Sequence, residues 1–533
     1  MEKRVLIAAL ISVLFLSWYS QMLTKIYGSP ASRTSLGRSQ QTAGSPTTAI
    51  QGQKSATYPI EKEEVLSISS EDLELEIGKS SGAVRKATLK RFMDSSKKHP
   101  LQISSGLELI HLQIGEAPLK WRLIEEFQSH AKFEATVPDG SSYHILYSLE
   151  SNNIFIELML QHESLKGGEL KNDLLITSAW SKADELNRRY NPLEALFVAD
   201  NGNNNPSYKR FMAPVRQERD VPRGTLLVSL SERYFCHLIR MEQSQARCKL
   251  IPSSENTIVV ESRVSIPATN KPSEQLQRVV TIYLGSRDYF QLTKAGFKQA
   301  FPLGTFGQIG LILLSALRFI AGVTKNYGVA ILLFSAAITF MMSPFTILSV
   351  RSMKKMQKLK PQIDKIMAQH KNDSTAANKE IFALYKEHKV SPLSGCLPMF
   401  LQMPIFIALF RAISHFIELR GQPFLWIKDL SLPDRLAQLP LSLPILGTDL
   451  NALPIIMASA MYFQTKMSQV KTVQDNQDPT AKMMSGPTMS IIFGIMFYQF
   501  PSGLVLYWLT NSLMSMLWMR AAKSGTSDLP AAA

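Results

Sequence analysis

The sequence predicts a multi-span α-helical membrane protein that carries a large all-β sandwich domain on one side of the membrane. Long uncharged apolar stretches lie at the N-terminus and after residue 300, and apolar and polar residues alternate between them. The mean hydropathy of −0.01 over 533 residues is also high for a chain built only of soluble domains. Six transmembrane helices with both termini in the cytoplasm account best for these features.

The net charge of +15 agrees with nucleic-acid binding, but membrane proteins also collect Lys and Arg in cytoplasmic loops. The position of the charged residues along the sequence distinguishes a nucleic-acid-binding protein from a membrane protein. Residues 351–389 contain ten basic and four acidic side chains and lie between apolar stretches. We therefore expect the lipid bilayer, and not DNA, as the partner of this chain.

The first apolar stretch has 20 uncharged residues between Arg4 and Lys25. It could be a cleaved signal peptide or a permanent anchor. No A-x-A cleavage site follows it, and it runs on through Trp18 and Tyr19, which suit a membrane interface. These features favour the anchor. The next residues, to about Pro59, are rich in Ser, Thr, Gln, Gly and Pro and predict a flexible linker.

Short runs of alternating residues between turn signals predict an antiparallel β sandwich in the section that follows. The runs are LELEI at 73–77, YHILYSLE at 143–150, IFIELML at 154–160, TLLVSL at 225–230, TIVVES at 257–262 and VVTIYLG at 279–285. Its scattered histidines, His111, His144 and His237, are expected to be surface or core residues rather than ligands. We expect no enzyme activity, no catalytic residue, no metal and no cofactor.

Three cysteines are present, without CxxC spacing. Cys236 and Cys248 lie in the β section, where a disulfide and two buried free thiols are both open. Cys396 lies among apolar residues and is expected to be packed.

Gaps between charged residues place the later spans. Lys325 and Arg351 bracket 25 uncharged residues, Lys389 and Arg411 bracket 21, Asp449 and Lys466 bracket 16, and Lys482 and Arg520 bracket 37. The last gap is interrupted by FPSG at 500–503, which predicts two spans joined by a tight hairpin. With the anchor, this gives six crossings.

One further apolar stretch, 304–323, is also long enough to be a span. An extra crossing there would place the basic segment 351–389 outside the cytoplasm, so we interpret 304–323 as an interfacial segment that leads into a long, bent second helix. The predicted sections are an anchor at 1–25, a linker at 26–59, the β domain at 60–285, the interfacial segment at 286–323, transmembrane helix 2 at 324–350, a cytoplasmic helical hairpin at 351–390, transmembrane helix 3 at 391–414, an outer loop at 415–450, transmembrane helix 4 at 451–467, a cytoplasmic loop at 468–482, transmembrane helices 5 and 6 at 483–500 and 501–520, and a short tail at 521–533.

The hairpin is predicted to consist of two short antiparallel helices. Apolar residues recur on one face of each: Met353, Met356, Ile363 and Met367, then Ile381, Leu384, Tyr385 and His388. Packing within the hairpin is the favoured role of the methionines, and an adaptable surface for apolar ligands is the alternative. We name Met353, Met356, Lys358, Met367 and Tyr385 as the candidate hairpin residues.

Several stretches resemble the YidC/Oxa/Alb insertase family in its long form from Gram-negative envelopes. They are MKKMQKLKPQI at 353–363, ALYKEHKVSP at 383–392, SPLSGCLPMFLQMPIFIALF at 391–410, ELRGQPFLWIKDLS at 418–431 and FPSGLVLYWLTNSL at 500–513. The resemblance implies five core spans around a polar groove in the inner leaflet, a bacterial inner-membrane location and a β domain in the periplasm. It also implies action on nascent membrane proteins, delivered by ribosomes or the Sec translocon.

Polar side chains within the spans are the candidates for lining this groove: Ser335, Thr339, Gln402, Tyr507, Trp508 and Asn511. Ser335 and Thr339 are four residues apart and share a helix face, which favours the groove. For Gln402 and Asn511 an interhelical hydrogen bond is an equally good interpretation. The family usually has an arginine on the groove face of the second span, and the alignment places Thr339 there, which predicts weaker attraction for acidic substrate tails.

The C-terminal tail, RAAKSGTSDLPAAA, has only Arg520 and Lys523 as basic residues, so contact with the ribosome is expected through the cytoplasmic loops. Two other functions remain open. A secondary transporter would also place polar residues within its spans, although no inverted repeat is visible. A membrane-anchored β domain that binds a ligand is the other alternative.

Overall fold

The structure is a computed structural model. It describes residues 63–94, 98–103, 108–114, 119–136, 142–161, 173–181, 193–199, 206–221, 224–241, 246–254, 256–265, 277–301, 307–370, 373–388, 390, 397–443, 447–468 and 486–524. The predicted anchor and linker and most of the predicted cytoplasmic loop at 468–482 lie outside these residues, as does Cys396. The chain divides into a β-rich unit up to Pro302 and a helical unit from Leu303.

The β-rich unit contains eighteen strands in the part of the chain that the structure describes. They are β1 Val65–Ser69, β2 Leu73–Gly78, β3 Val84–Met93, β4 Pro100–Ile103, β5 Ile110–Ile114, β6 Arg122–Glu126, β7 His130–Thr136, β8 Ser142–Glu150, β9 Asn153–Gln161, β10 Asp173–Ser181, β11 Glu194–Ala199, β12 Ser207–Met212, β13 Arg219–Asp220, β14 Thr225–Ser231, β15 Phe235–Met241, β16 Arg247–Ile251, β17 Thr257–Ser265 and β18 Gln277–Ser286. All six runs predicted as strands are found as strands. A short helix, α1 Tyr289–Lys294, closes the unit and is capped by the Asp288 side chain.

The strands form two nine-stranded antiparallel sheets. One has the order β1-β2-β3-β5-β10-β17-β16-β13, with β4 on β3, and the other has the order β12-β11-β14-β15-β18-β9-β8-β7-β6. Alternate side chains of β8 are buried, as the period of two requires. Trp180 of the first sheet and His237 of the second lie with their ring centroids 5.9 Å apart in the core. The predicted sandwich is therefore confirmed.

The histidines and cysteines of this unit behave as structural residues. His237 is fully buried, His111 Nδ1 lies 2.5 Å from a Glu108 carboxylate oxygen, and His144 Nε2 lies 3.8 Å from one of Glu134. Cys236 and Cys248 are buried free thiols on β15 and β16, which belong to different sheets. Of the two possibilities that the sequence left open, the structure shows the free thiols.

The helical unit contains seven helices in its described residues. They are α2 Gly307–Thr324, α3 Tyr327–Gln369, α4 Ser374–Glu387, α5 Leu397–Ser414, α6 Ala452–Ser468, α7 Gly486–Phe497 and α8 Ser502–Ser524. A 3-10 turn, Ile417–Leu419, and a two-stranded sheet, β19 Ala437–Leu443 and β20 Gly447–Leu450, lie in the connection between α5 and α6. By length and composition, α2 and the Tyr327–Met356 part of α3 are suited to cross a membrane, and Gln402–Ser414 and Thr488–Phe497 are shorter apolar helical segments.

Two helices differ from the expected outline. The stretch predicted as an interfacial segment forms a helix of its own, α2, because Lys325 takes a φ of 55° and Asn326 caps α3 with its side-chain oxygen. The helix α3 then continues without a break from the predicted second span into the hairpin. The expectation of two short hairpin helices is thus wrong for the first one, which is the C-terminal part of α3. Pro344 and Pro361 lie within α3 and do not end it.

Candidate functional site

Two helices that are distant in sequence, α3 and α8, run side by side in the same direction. Gly503 in the first turn of α8 lies against Ile331 near the start of α3, and a Cβ at this glycine would be 3.2 Å from the Ile331 side chain. Further along, the rings of Phe340 and Trp518 are 5.9 Å apart. The glycine therefore permits a close approach at the start of a parallel helix pair.

A row of hydroxyl side chains on α3 faces the interior of the helical unit. Ser335, Thr339 and Ser343 are spaced by four residues, so they share one face. Ser335 is 0% and Thr339 is 3% exposed, and Ser343 is also buried. The Ser335 hydroxyl donates to the Ile331 carbonyl oxygen at 2.6 Å, one helical turn earlier. Sequence reasoning named the first two of these residues and missed Ser343, although the same spacing indicates it.

Thr339 links this row to α8. Its Oγ1 lies 2.8 Å from the carbonyl oxygen of Ser335 and 2.7 Å from the side-chain oxygen of Asn511. A hydroxyl has one proton and donates to one oxygen at a time. Thr339 and Asn511 thus form a polar contact between two helices whose surroundings are mostly apolar. We call Ser335, Thr339, Ser343 and Asn511 the polar seam.

A second polar contact joins α5 and α8. The Gln402 side-chain amide donates a hydrogen bond to the Tyr507 hydroxyl, and Tyr507 is buried. The neighbouring Trp508 lies in a different environment, with its ring centroid 5.0 Å from that of Phe406 and its Nε1 3.2 Å from the Met461 sulfur. Trp508 therefore packs in an aromatic cluster, and Tyr507 is the partner of Gln402.

The loop between α5 and α6 holds the starts of three helices together at one end of the unit. Asp434, which is buried, accepts hydrogen bonds from the backbone amides of Ala452 and Leu453 at 2.9 Å, and so caps α6. In α8, the amides of Ser502 and Gly503 donate to carbonyl oxygens of the same loop at 2.8 Å. At the start of α3, Gly328 lies directly under the Phe424 ring of this loop, where a Cβ would not fit.

A half-buried ion pair at this end was not anticipated from the sequence. Arg318 of α2 lies 2.7 Å from Glu418, and the Tyr327 hydroxyl donates to the same carboxylate at 2.5 Å. The Arg318 guanidinium also lies 5.2 Å from the centroid of the Phe416 ring. Because its charge is taken up by Glu418, Arg318 is part of the scaffold at this end of the unit.

Comparison with known proteins gives the family. A profile described as "60Kd inner membrane protein" matches residues 319–526. A "Membrane protein insertase YidC" of Geotalea uraniireducens is 29% identical over 554 residues, which cover 97% of this chain and 98% of that protein. One from a Geobacter species is 35% identical over 307 residues, or 57% of this chain and 53% of that protein, so the match spans about half of its length. The chain is therefore similar to YidC insertases along nearly its whole length.

A solved structure described as an active YidC insertase with its first transmembrane domain resolved is also similar to this chain. The match covers 89% of this chain and 96% of that chain, with 19% sequence identity and a TM-score of 0.37.

The structure places five of the six predicted groove residues in two groups. Thr339 contacts the Ser335 backbone and the Asn511 side chain, Gln402 contacts Tyr507, and Trp508 lies apart in the aromatic cluster. For Gln402 and Asn511, the interhelical bonds that the sequence left as one alternative are present. The groove assignment of all these residues stays a prediction.

The hairpin is held by its own apolar core. Leu359, Ile363, Ile366, Ile381 and Val390 form the buried cluster, and the half-buried residues packed against it are Met356, Met367, Leu384 and Tyr385. The packing role predicted for Met356 and Met367 is confirmed. Lys358 points outward and is exposed, and the side chain of Met353 is outside the described residues.

Proposed function

We propose that this protein is a membrane protein insertase that helps nascent membrane proteins enter the bilayer through its polar seam. The observation that carries this proposal is the polar seam, in which the hydroxyl side chains of α3 are buried and Thr339 contacts Asn511 of α8, within a helix that is long and apolar enough to cross a membrane. The relatives with that function are similar over the same part of the chain. No cofactor is needed for such an activity, because the substrate's own apolar surface supplies the driving force.

The depth of the polar seam in the proposed membrane suits a role in insertion. Thr339 lies twelve residues after Tyr327, which is about 18 Å along the helix axis, whereas the hydrocarbon layer is about 30 Å thick. A charged group at the centre of a membrane helix costs about 2.5–3.5 kcal/mol on insertion scales. Polar side chains at an intermediate depth can bind the polar flank of a substrate while its apolar segment moves along the outside of the helices into lipid.

The contacts within the seam are easily exchanged. A side-chain hydrogen bond between membrane helices contributes about 0.6 kcal/mol on average, because the separated helices find other partners. Releasing the Thr339–Asn511 contact is therefore cheap compared with leaving one substrate charge in lipid. We propose that substrate or water replaces these contacts when the seam opens.

The arrangement of the helices supports the proposed topology of six crossings with both termini in the cytoplasm. The starts of α3, α6 and α8 meet at the loop after α5, as expected if α5 and α7 cross in the opposite direction. The lysine-rich hairpin begins with the far part of α3. We assign the loop end to the periplasm, together with the β domain, and the hairpin to the cytoplasm, by the distribution of positive charge. The membrane is then the bacterial inner membrane.

The proposed partners are inferred from the charged surface of the hairpin and from the proposed function. Exposed lysines of the hairpin, such as Lys358 and Lys365, can bind ribosomal RNA, while the tail has too few cations for this. The ribosome would therefore be contacted through the cytoplasmic loops. The Sec translocon is the second proposed partner, as a source of substrates, and nascent membrane proteins and the lipid bilayer complete the set.

Site-specific crosslinking to a stalled nascent membrane protein tests the function. A photoreactive residue at 335, 339, 402 or 508 should crosslink to the nascent chain. A matched probe at Phe340, which is 66% exposed on the outer face of α3, should crosslink mainly to lipid or to the apolar segment. If the probe at 339 reacts with the nascent chain no more than a probe on the β domain does, the proposed function is wrong.

A further inference from the structure

The loop between α5 and α6 ends in a rigid tip that presents two apolar side chains. Phe424 and Ile427 exchange two backbone hydrogen bonds of 2.9 Å, so that Leu425 and Trp426 form the corner of a two-residue turn. Leu425 is 74% exposed, and Trp426 is also exposed. We call Leu425 and Trp426 the apolar tip.

The backbone at this tip is unfavourable for the residue that occupies it. Leu425 has a φ of 53°, in the left-handed region. Gly, Asn or Asp usually takes the first corner position of such a turn, because a Cβ is strained there. A leucine with its side chain in water has neither a conformational nor a hydrophobic reason to be at this position. An apolar environment outside the described chain would supply the reason.

The surroundings of the tip indicate which environment this is. Phe424, directly before the tip, lies on Gly328 in the first turn of α3, so the tip is at the level where the proposed spans begin. The Trp426 indole N–H donates to Asp434 at 3.2 Å, which leaves the apolar part of the ring facing outward. A tryptophan with a satisfied N–H and a free apolar ring is typical of the membrane–water interface. Lys428, two residues further on, is exposed and suits lipid phosphates.

The end of α2 also carries exposed apolar side chains. This helix ends three residues before α3 begins, and its Phe319 and Val323 side chains are exposed. We infer that Leu425 and Trp426 insert into the interfacial region of the outer leaflet and bind lipid, and so fix the level of the loop and of the three helix starts that it holds. This inference rests on the proposed membrane placement of α3 and α8.

Spin-label accessibility in the full-length protein tests this inference. Single cysteines at 425, 428 and 340 are introduced in a Cys396→Ser background, in which the buried Cys236 and Cys248 should stay unlabelled. The protein is reconstituted in vesicles of phosphatidylethanolamine and phosphatidylglycerol. Collisions of each label with oxygen, which concentrates in lipid, are compared with collisions with a water-soluble nickel chelate.

The expected result is a label at 425 that is several times more accessible to oxygen than to the nickel chelate, and a label at 428 with the opposite preference. A label at 425 that behaves like the one at 428 overturns the inference, and so does one shielded from both reagents, which would indicate a protein partner. The label at 340 reports on the proposed membrane placement itself. If 340 is in lipid and 425 is in water, only the inference fails; if both are in water, the membrane placement fails with it.

Discussion

The Thr339 hydroxyl lies within hydrogen-bond distance of two oxygen atoms but has only one proton. Of the candidate side chains, it can therefore exchange one hydrogen-bond partner for another most readily. Its contact with Asn511 joins residues 172 positions apart, while its contact with the Ser335 carbonyl lies within one helical turn. When a substrate takes the place of Asn511, the hydroxyl can keep its backbone contact and receive a hydrogen bond on its free lone pair. A threonine is suited to this exchange, although, unlike an arginine, it carries no charge.

Removal of the seam hydroxyls should therefore impair insertion without a large change in packing. Thr339→Val combined with Ser335→Ala removes two of the three seam hydroxyls at nearly constant volume. We expect the insertion rate of a substrate with a polar flank to fall about fivefold to thirtyfold, which corresponds to about 1–2 kcal/mol for polar groups left without partners. The measurement is protease protection of a model substrate in proteoliposomes.

Ser315→Ala is the matched control, because the Ser315 hydroxyl makes the same contact one turn back, at 2.9 Å to the Leu311 carbonyl, but is exposed on α2. This variant should insert substrate at the normal rate. Full activity of the double variant would refute the groove assignment.

His237 gives the β domain a dependence on pH. Its complete burial between the sheets lowers the pKa of its imidazole to about 3 from an ordinary 6.5. Between these two values the unfolded chain binds a proton that the folded chain does not, so stability falls as the pH falls below about 6.5. Each pH unit in this window lowers the free energy of unfolding by up to about 1.4 kcal/mol.

The effect can be measured by hydrogen exchange of the β15 amides in the full-length protein between pH 7 and 5, after correction for intrinsic exchange rates. The wild-type protein should lose protection as the pH falls. His237→Gln, which does not titrate, should show a clearly smaller loss over the same range. Equal slopes for the two proteins would show that His237 is not the group responsible.

At the scale of elements, the loop after α5 decides how the helices are aligned at one end. The carboxylate of Asp434 caps α6 and accepts the Trp426 indole N–H, and backbone oxygens of Leu430 and Leu432 accept the first amides of α8. Helix starts have free N–H groups, and water cannot satisfy them once they are buried. The loop therefore supplies acceptors to helices that local sequence alone does not cap.

Asp434→Ala should loosen this end of the unit. The change leaves the amides of Ala452 and Leu453 and the indole of Trp426 without their acceptor. We expect the free energy of unfolding to fall by about 1–3 kcal/mol. Faster hydrogen exchange at the start of α6 and a lower melting temperature in detergent are the measurements.

Asp429→Ala is the control for this change. Asp429 lies in the same loop, and within the described part of the chain its carboxylate accepts only the amide of Ser431, at 2.8 Å. Asp429→Ala should therefore lower the stability less than Asp434→Ala does. A similar loss of stability in both variants would contradict the special role of Asp434.

At the scale of the whole molecule, the chain consists of two units with separate cores. The β-rich unit has its core between two sheets, and the helical unit has its own interior with the polar seam. Deletion of residues 60–285 should therefore leave the helical unit folded and reduce insertion by less than about twofold. The measurement is the same proteoliposome assay. Complete loss of activity in a variant that still melts cooperatively would instead favour a function carried by the β domain.

The sequence by itself determined whether each section is β-rich or membrane-helical. The alternation of apolar and polar residues and the long uncharged runs that indicate this are local properties of the chain. The sequence placed all six runs such as YHILYSLE at 143–150 in strands, and it identified Ser335 and Thr339 from their spacing alone. Only the tertiary structure decided which residues meet. Three contacts join segments that are distant in sequence: Thr339 with Asn511, Gln402 with Tyr507, and Asp434 with α6. The spacing of residues along the chain does not predict such partners. The continuous helix α3 and the separate α2 were also decided there, because the backbone at Lys325 and the packing of the hairpin core outweigh the weak local signals of charge and proline.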